Sequence, residues 1–541
     1  MRIRLGTYLI VTVLAGAILG GLFGNRVNAD APLEESSQNL LKAFTDSLAV
    51  IQSEYAREVS SSDLIESAIR GMLRTLDPHS SFFSRRDYDR LQEEQKGKYY
   101  GLGITIRAES PGSGRVLVVE PPVPGTPAYK AGLKAGDVIA KIEGEAIDEW
   151  DLNEDVIPNL KGPKGTTVNI TVERTGENEL LEFEVERDEI PLYTIKHAFL
   201  LNPEIGYVKI DRFAETTSRE LDEALKKLGE DSLSGLILDL RGNPGGALSQ
   251  ALEVSDRFLK KGEKIVSTKT RTGADDRDYY AKKGNGFKYS MVVLINQNSA
   301  SASEIVAGAL QDHDRALIVG ETSFGKALVQ TIIQLDGNRG LALTTGKYYT
   351  PSDRLIQRDY TESYWDYYNN RYDQASRDRE EFLTDGGRVV YGGGGIAPDI
   401  EIEQERLSKL IRQLRRKDVV REFASKLVSG EVETDSGFNY SDKVLESMKR
   451  EERRQAVDSL EISDKTFRAF EAFLIEKDIE FAETELAEDK SFITNWLRGE
   501  IVLLTFGEEE SYRINLELDS QLQTALDQLP NAADLLAEKT L

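Results

Sequence analysis

The spacing of apolar positions changes several times along the chain. A continuous apolar run covers residues 5–23, preceded by Arg2 and Arg4. Leu40, Leu41, Phe44, Leu48, Ile51 and Tyr55 then recur every three or four positions, the spacing of an amphipathic helix. A second helix is predicted over 62–76, with Leu64, Ile65, Ile69, Met72 and Leu73 apolar, Ser61 or Ser62 as cap and Asp77-Pro78 as stop. From Tyr99 to about Val185 the pattern shortens to strands at 104–106, 116–119, 138–142 and 168–172. Pro124-Gly125-Thr126-Pro127 marks a turn, and 128–133 a short helix closed by Gly136.

Apolar, β-rich segments at 205–210, 235–240, 291–295 and 316–319 alternate with helical patterns at 217–228, 247–259 and 301–311. This alternation predicts an α/β layer with partly parallel strands. Segments 330–335 and 341–349 flank Asp336-Gly337-Asn338-Arg339-Gly340, as in a β-hairpin. Beyond residue 403 the chain is charged and helical, with Phe467, Phe470, Phe473 and Leu474 on one stripe and Leu516, Leu518 and Leu522 near the end. A helical packing or interaction domain is expected there.

The 541 residues carry 68 Lys and Arg against 93 Asp and Glu, a net charge of −25. At ~150 residues per domain, three or four domains are expected. The acidic balance argues against nucleic acid and against broad docking on anionic lipid. Cysteine is absent, which removes disulfides, zinc knuckles and thiol nucleophiles. His79, His197 and His313 are far apart and form no metal-binding spacing, so neither a metal nor a cofactor is expected. Arg2 and Arg4, the apolar run and Val27-Asn28-Ala29 have the layout of a secretory signal. The run is long enough to approach a membrane span, so residues 1–29 read as a signal peptide or an uncleaved anchor. Either places the rest of the chain outside the cytoplasm.

Three segments carry candidate chemistry. Asn298-Ser299-Ala300-Ser301-Ala302-Ser303-Glu304 follows a strand and opens a helix, where free N–H groups stabilise an anion. The same spacing, Ser301 to Glu304, is also a capping box, which needs no catalysis. Asp239-Leu240-Arg241-Gly242-Asn243-Pro244-Gly245-Gly246 is a strand-to-helix turn whose paired glycines can aim N–H groups at a ligand, or can serve only as a connection. In Ser323-Phe324-Gly325-Lys326, the lysine precedes an apolar run; burial there would ease loss of its proton, whereas a surface lysine would do nothing.

Taken with Leu76-Asp77-Pro78-His79-Ser80, Gly206-Tyr207-Val208-Lys209-Ile210 and Tyr348-Tyr349-Thr350-Pro351-Ser352, these segments resemble the C-terminal processing peptidases, or tail-specific proteases. The resemblance runs from about Leu40 to Asp399. It implies a Ser–Lys dyad with Ser301 as nucleophile, Lys326 as base 25 positions later and Gln330 orienting the lysine. It places the oxyanion hole at Ala302 and at Gly245 or Gly246. In a straight strand Lys326 and Gln330 would lie about 13 Å apart, so a helical turn or kink is expected between them. His313, ~18 Å along the same predicted helix from Ser301, is not expected to act as the base; His79 and His197 are expected to be structural.

The β-rich stretch resembles a PDZ domain, and Gly101-Leu102-Gly103-Ile104 its carboxylate-binding loop. That implies protein or peptide substrates with apolar C-termini. The expected fold is α/β and multidomain. N-terminal helices (33–90) lead into a PDZ domain (91–187) placed before an α/β serine peptidase core (188–402), and an acidic helical region (403–541) follows. Residues 353–396 depart from the family pattern, with Tyr360, Tyr364, Trp365, Tyr367, Tyr368 and Tyr372 suggesting a packed flap. The expected function is an exported serine endopeptidase of a bacterial periplasm or cell envelope, for processing or quality control. Membrane attachment through 5–23 and an oligomeric state stay open. The alternative is a non-catalytic PDZ scaffold or chaperone, against which the intact Ser301, Lys326 and Gln330 argue; an esterase or ligand-binding relative is disfavoured by the PDZ module.

Overall fold

The computed structural model describes residues 35–538, apart from 109–115, 119–121, 124, 175, 285–288, 362–363, 369–378, 404–406 and 433–441. The apolar run at 5–23 and Tyr372 lie outside the described residues. No described helix is long and apolar enough to cross a membrane.

The chain divides into two compact units, 1–76 and 77–541. In the first, helices Glu35–Glu54 and Ser61–Arg74 follow the predicted periodicity. The cap is Ser60, one residue before the expected pair; its side chain accepts the Asp63 N–H. The apolar stripe is open: Leu40 is 70% and Leu41 63% exposed.

The second unit is built on a six-stranded sheet ordered His197–Asn202, Ile205–Lys209, Gly235–Asp239, Ser290–Ile295, Leu317–Gly320 and Ile400–Glu401. The first pair is antiparallel and the other pairings are parallel. Strands buried on both faces need cover on both. Val208, Leu236, Leu238, Met291 and Val293 pack with residues of helices Thr217–Leu228, Leu248–Phe258 and Ala302–Asp312. Tyr207, Ile237, Val292 and Leu294 pack instead with Leu522, Ala525, Leu529 and Ala532 of helix Ser520–Glu538. The boundary expected at 403 therefore does not separate the tail from the core: its last helix is the sheet's second layer. Helices between Lys409 and Phe506 enclose their own core around Phe423, Phe470 and Leu497.

An antiparallel sheet joins Ser81–Phe83, Arg339–Tyr349, Lys264–Thr270 and Arg277–Tyr280, with Leu328–Leu335 also paired to Arg339–Tyr349. Ser81–Phe83 thus belongs to this sheet, and the boundary expected at residue 90 falls elsewhere. The PDZ module hangs from a two-stranded ribbon, Lys98–Gly101 with Asp188–Pro191. Its sheet surrounds a core of Val118, Ile139, Ile142, Val168 and Val172. Its helix Pro127–Ala131 ends at Gly132 (φ +89°) rather than at the expected Gly136, because the left-handed residue at the cap stops the helix there.

Candidate active site

Ser301 stands immediately before helix Ala302–Asp312, with φ 55° and ψ −111°. A serine with positive φ is strained, on the order of 1–3 kcal/mol, and persists only where its surroundings fix it. Those surroundings are named residues. The Ser301 N–H donates to Glu304 Oε2 at 2.8 Å. The Ser301 carbonyl accepts the Tyr348 hydroxyl at 3.1 Å, and the same hydroxyl lies 2.6 Å from the Lys326 carbonyl.

Glu304 joins the serine to the lysine loop. Its carboxylate also accepts from Ser323 Oγ (2.5 Å), Gly325 N–H (2.7 Å) and Lys326 N–H (2.9 Å). Burial raises its pKa, against the pull of these donors. Gly325, at φ +88°, lets the loop pass the backbone of Gly394 and Gly395.

Lys326 Nζ donates to Gln330 Oε1 at 2.8 Å, and Gln330 Nε2 donates to the His79 carbonyl at 2.7 Å. The break expected between them is a kink rather than a helical turn. Leu328–Leu335 is a strand whose register against Arg339–Tyr349 slips between Val329 and Gln330, and the lysine precedes that strand in irregular backbone. Two long side chains meeting across the gap close the bond that a backbone estimate alone left open. Burial lowers the Lys326 pKa below its usual value, opposed by Glu304 and Asp77. His79 is lowered to about 4, by burial and then by Lys326, and so is neutral near pH 7.

Across the cavity, the 239–246 turn is bound to the serine segment. The Asn243 carbonyl accepts the Ala300 N–H (3.0 Å) and Ser303 Oγ (2.9 Å), and Ser299 Oγ donates to the Leu240 carbonyl at 2.8 Å. Gly245 has φ +100°; a Cβ there would stand 2.8 Å from Ser301 Cβ and 2.9 Å from the Ala302 nitrogen. Only glycine permits that approach. The Gly245 N–H is committed to Asn243 Oδ1 at 2.9 Å. Ser301, Ala302, Gly245, Gly246, Lys326 and Gln330 all line one cavity of about 730 Å³. Phe213, Leu248, Ile305 and Leu328 give it apolar walls.

The three histidines have separate surroundings. His313 bonds Asp385 at 2.8 Å and the Lys264 carbonyl at 2.6 Å, caps the far end of the Ser301 helix and does not line the cavity. His197 stacks on Tyr512 at 3.7 Å. His79 bonds the Tyr367 hydroxyl at 2.5 Å. Tyr367 is fully buried, and Arg358 lies over Phe324 while its N–H donates to the Gly325 carbonyl at 2.8 Å. The aromatic insertion is therefore packed against the lysine loop.

A second cavity, about 840 Å³, opens beside Leu102, Gly103 and Ile104 of the PDZ loop. Residues 151–161 and helix Arg85–Lys96 form its other walls.

A carboxy-terminal-processing protease of Bartonella bacilliformis is 43% identical over 329 residues, 60% of this chain and 74% of that protein. The chain belongs to the carboxy-terminal processing proteases. The model of peptidase family S41 matches residues 204–363, that of a PDZ domain 101–186, and that of the activating protease CtpB N-terminal domain 7–86. The carboxy-terminal processing protease CtpB of Bacillus subtilis is 33% identical over 61% of this chain and 67% of its own length. A solved photosystem II D1 C-terminal processing protease aligns over 67% of this chain and 88% of that one, at 26% identity and a TM-score of 0.34. This carboxy-terminal processing protease is a serine-type peptidase acting on protein or peptide substrates, with its PDZ domain ahead of the peptidase domain. The scaffold-only alternative is not favoured.

Sequence reasoning missed three parts of the site. Glu304 read as a cap partner, which it is, but its reach to Ser323, Gly325 and Lys326 has no local signal. The His79 carbonyl meets Gln330 across 251 positions. Tyr348 was a motif letter without a role, and only its place in the long strand Arg339–Tyr349 shows it between Ser301 and Lys326.

Proposed function

We propose that Ser301 is the nucleophile and Lys326 the general base of peptide-bond cleavage, with Gln330 orienting the amine. Neutral Lys326 accepts the hydroxyl proton as Ser301 Oγ attacks the carbonyl carbon. The Ala302 and Gly246 N–H groups stabilise the oxyanion. The proton passes to the departing amine, and water, with Lys326 again as base, releases the acyl group. The observation that carries this reading is one apolar-walled cavity holding a conformationally fixed serine and a lysine whose charge burial disfavours. The substrate's C-terminal carboxylate is held by the N–H groups of Gly101, Leu102, Gly103 and Ile104, and its apolar side chains by the adjoining groove.

Ser301→Ala and Lys326→Ala should each lower kcat by about 10³ or more on an unfolded substrate with an apolar C-terminus, with folding intact. Cleavage by either variant at the wild-type rate would overturn the dyad. The Bartonella and Bacillus relatives are bacterial, and the N-terminal pattern supports export with 5–23 as signal or anchor. The open apolar face of Glu35–Glu54 supports self-association. Cell fractionation and sedimentation of the purified chain test these two statements.

A further inference from the structure

Arg241 sits inside the turn that leads to Gly246, and its guanidinium is held from two sides. Nε and Nη2 bond the Asp239 carboxylate at 2.6–3.0 Å. Nη1 donates to Asp519 Oδ1 (3.0 Å) and Gln521 Oε1 (2.9 Å), while Nη2 lies 2.8 Å from Asp519 Oδ2. The two sides differ in what they fix. Asp239, two residues away, closes strand Gly235–Asp239 and also accepts the Tyr207 hydroxyl at 2.7 Å, and the Arg241 carbonyl accepts Lys209 Nζ at 3.3 Å, so this side ties the turn to the sheet. Asp519 and Gln521 are 278 and 280 positions away, at the start of the helix that covers the sheet. Gln521 is itself anchored, donating to the Ile402 carbonyl at 2.7 Å.

Downstream of Arg241 the turn runs through short bonds to the reaction centre. Gly242 N–H donates to Asn296 Oδ1 at 2.9 Å, and Asn243 Nδ2 to the Ile210 carbonyl at 2.8 Å. Asn243 then holds Gly245, Ala300 and Ser303. A shift of Arg241 is therefore passed to Gly246 and to the serine segment together.

We propose that Asp519 and Gln521 are positioning residues of the peptidase: through Arg241 they fix the turn that presents the Gly246 N–H to the oxyanion. The C-terminal region thereby contributes to catalysis although the peptidase match ends at residue 363. The inference rests on the oxyanion role given above to Gly246 and Ala302. The acceptors suit the task, because a planar guanidinium bound on two edges by carboxylates is fixed in both direction and distance.

The test uses the full chain and a fluorogenic peptide with an apolar C-terminal tail. A donor displaced by a fraction of an ångström loses part of the ~10²–10³ that an oxyanion donor supplies. Asp519→Ala should lower kcat about 10- to 100-fold with KM within two-fold, and should weaken a peptide boronate inhibitor by the same factor. Tail-peptide affinity, measured in a Ser301→Ala background, should be unchanged. Asp519→Asn, which keeps one acceptor oxygen, should fall between. Leu529→Ala loosens the same helix on the sheet without touching Arg241 and should keep kcat within two-fold at a comparable loss of thermal stability. The proposal is overturned if Asp519→Ala keeps its kcat, or if Leu529→Ala loses as much. Wild-type activity in Ser301→Ala would instead sink the dyad, a separate result.

Discussion

Glu304 is wholly buried and ionisable, a combination that folds keep only where the charge is answered. Here four donors answer it, and they come from both halves of the proposed dyad. Lys326 is the opposite case: burial disfavours its charge, and the direct partner of its amine is the neutral Gln330. The functional sign follows. Only the neutral amine accepts a proton, so kcat/KM should rise with pH through an apparent pKa below 10.5. Lys326→Arg should be inactive across that range, because a guanidinium does not give up its proton. A profile with its midpoint at or above 10.5, or an active arginine variant, would contradict the assignment. Ser301, Lys326 and Gln330 each sit in a short motif with local character, and the structure brings the three to one cavity. The second job of Glu304 was not legible in the sequence, since a capping box looks the same whether or not its carboxylate also reaches 22 residues onward.

Among the elements, the four parallel strands between Ile205 and Gly320 and the helices between them could be read from period alone, to within a residue or two, whereas Ile400–Glu401 and the covering helix Ser520–Glu538 could not. Turn chemistry was harder. Gly132 and Gly136 both have positive φ, and only the hydrogen bonds show which one ends the helix. The PDZ loop shows how strict such positions are. Gly103 has φ +82°, and a Cβ there would come within 2.5 Å of Thr126. Gly103 O accepts the Val123 N–H at 3.2 Å, and Leu102 O the Ala128 N–H at 2.9 Å, so the loop has little room to retreat. Gly103→Ala should weaken tail-peptide binding at least ten-fold by fluorescence anisotropy. Cleavage of a short peptide without a tail should stay within two-fold. Unchanged tail affinity would show that capture happens elsewhere.

Across the whole molecule, two buried histidines couple folding to acidity. His79 and His197 are each lowered to about 4 from 6.5, chiefly by burial. The unfolded chain then takes up protons first as pH falls below 6.5, so each contributes stability above 6.5 that is lost progressively towards 4. The full loss is about 3 kcal/mol per histidine, of which about 2 has gone by pH 5. Glu304 and Asp211, both raised by burial, act with the opposite sign at the acidic end. Denaturant titration at pH 7 and pH 5 should therefore show a marked drop for the wild type and a smaller one for the His79→Gln, His197→Gln double variant. Equal drops would rule the histidines out. Neither burial was visible in the sequence, because His197 is covered by Tyr512 from beyond the peptidase match.

The late helix Ser520–Glu538 also bears on when this peptidase can first cut. Ribosomal synthesis proceeds at ~5–20 residues per second. Ser301, Lys326 and all matched peptidase residues emerge by position 363, yet the sheet face bearing Ile237, Val292 and Leu294 has no cover until 520–538 arrive. For on the order of ten seconds the nascent chain carries the proposed dyad without a finished scaffold to aim it. A peptidase whose second layer comes last should be inactive until that layer docks, and a chain ending before Ser520 that still cleaves an unfolded substrate would contradict this.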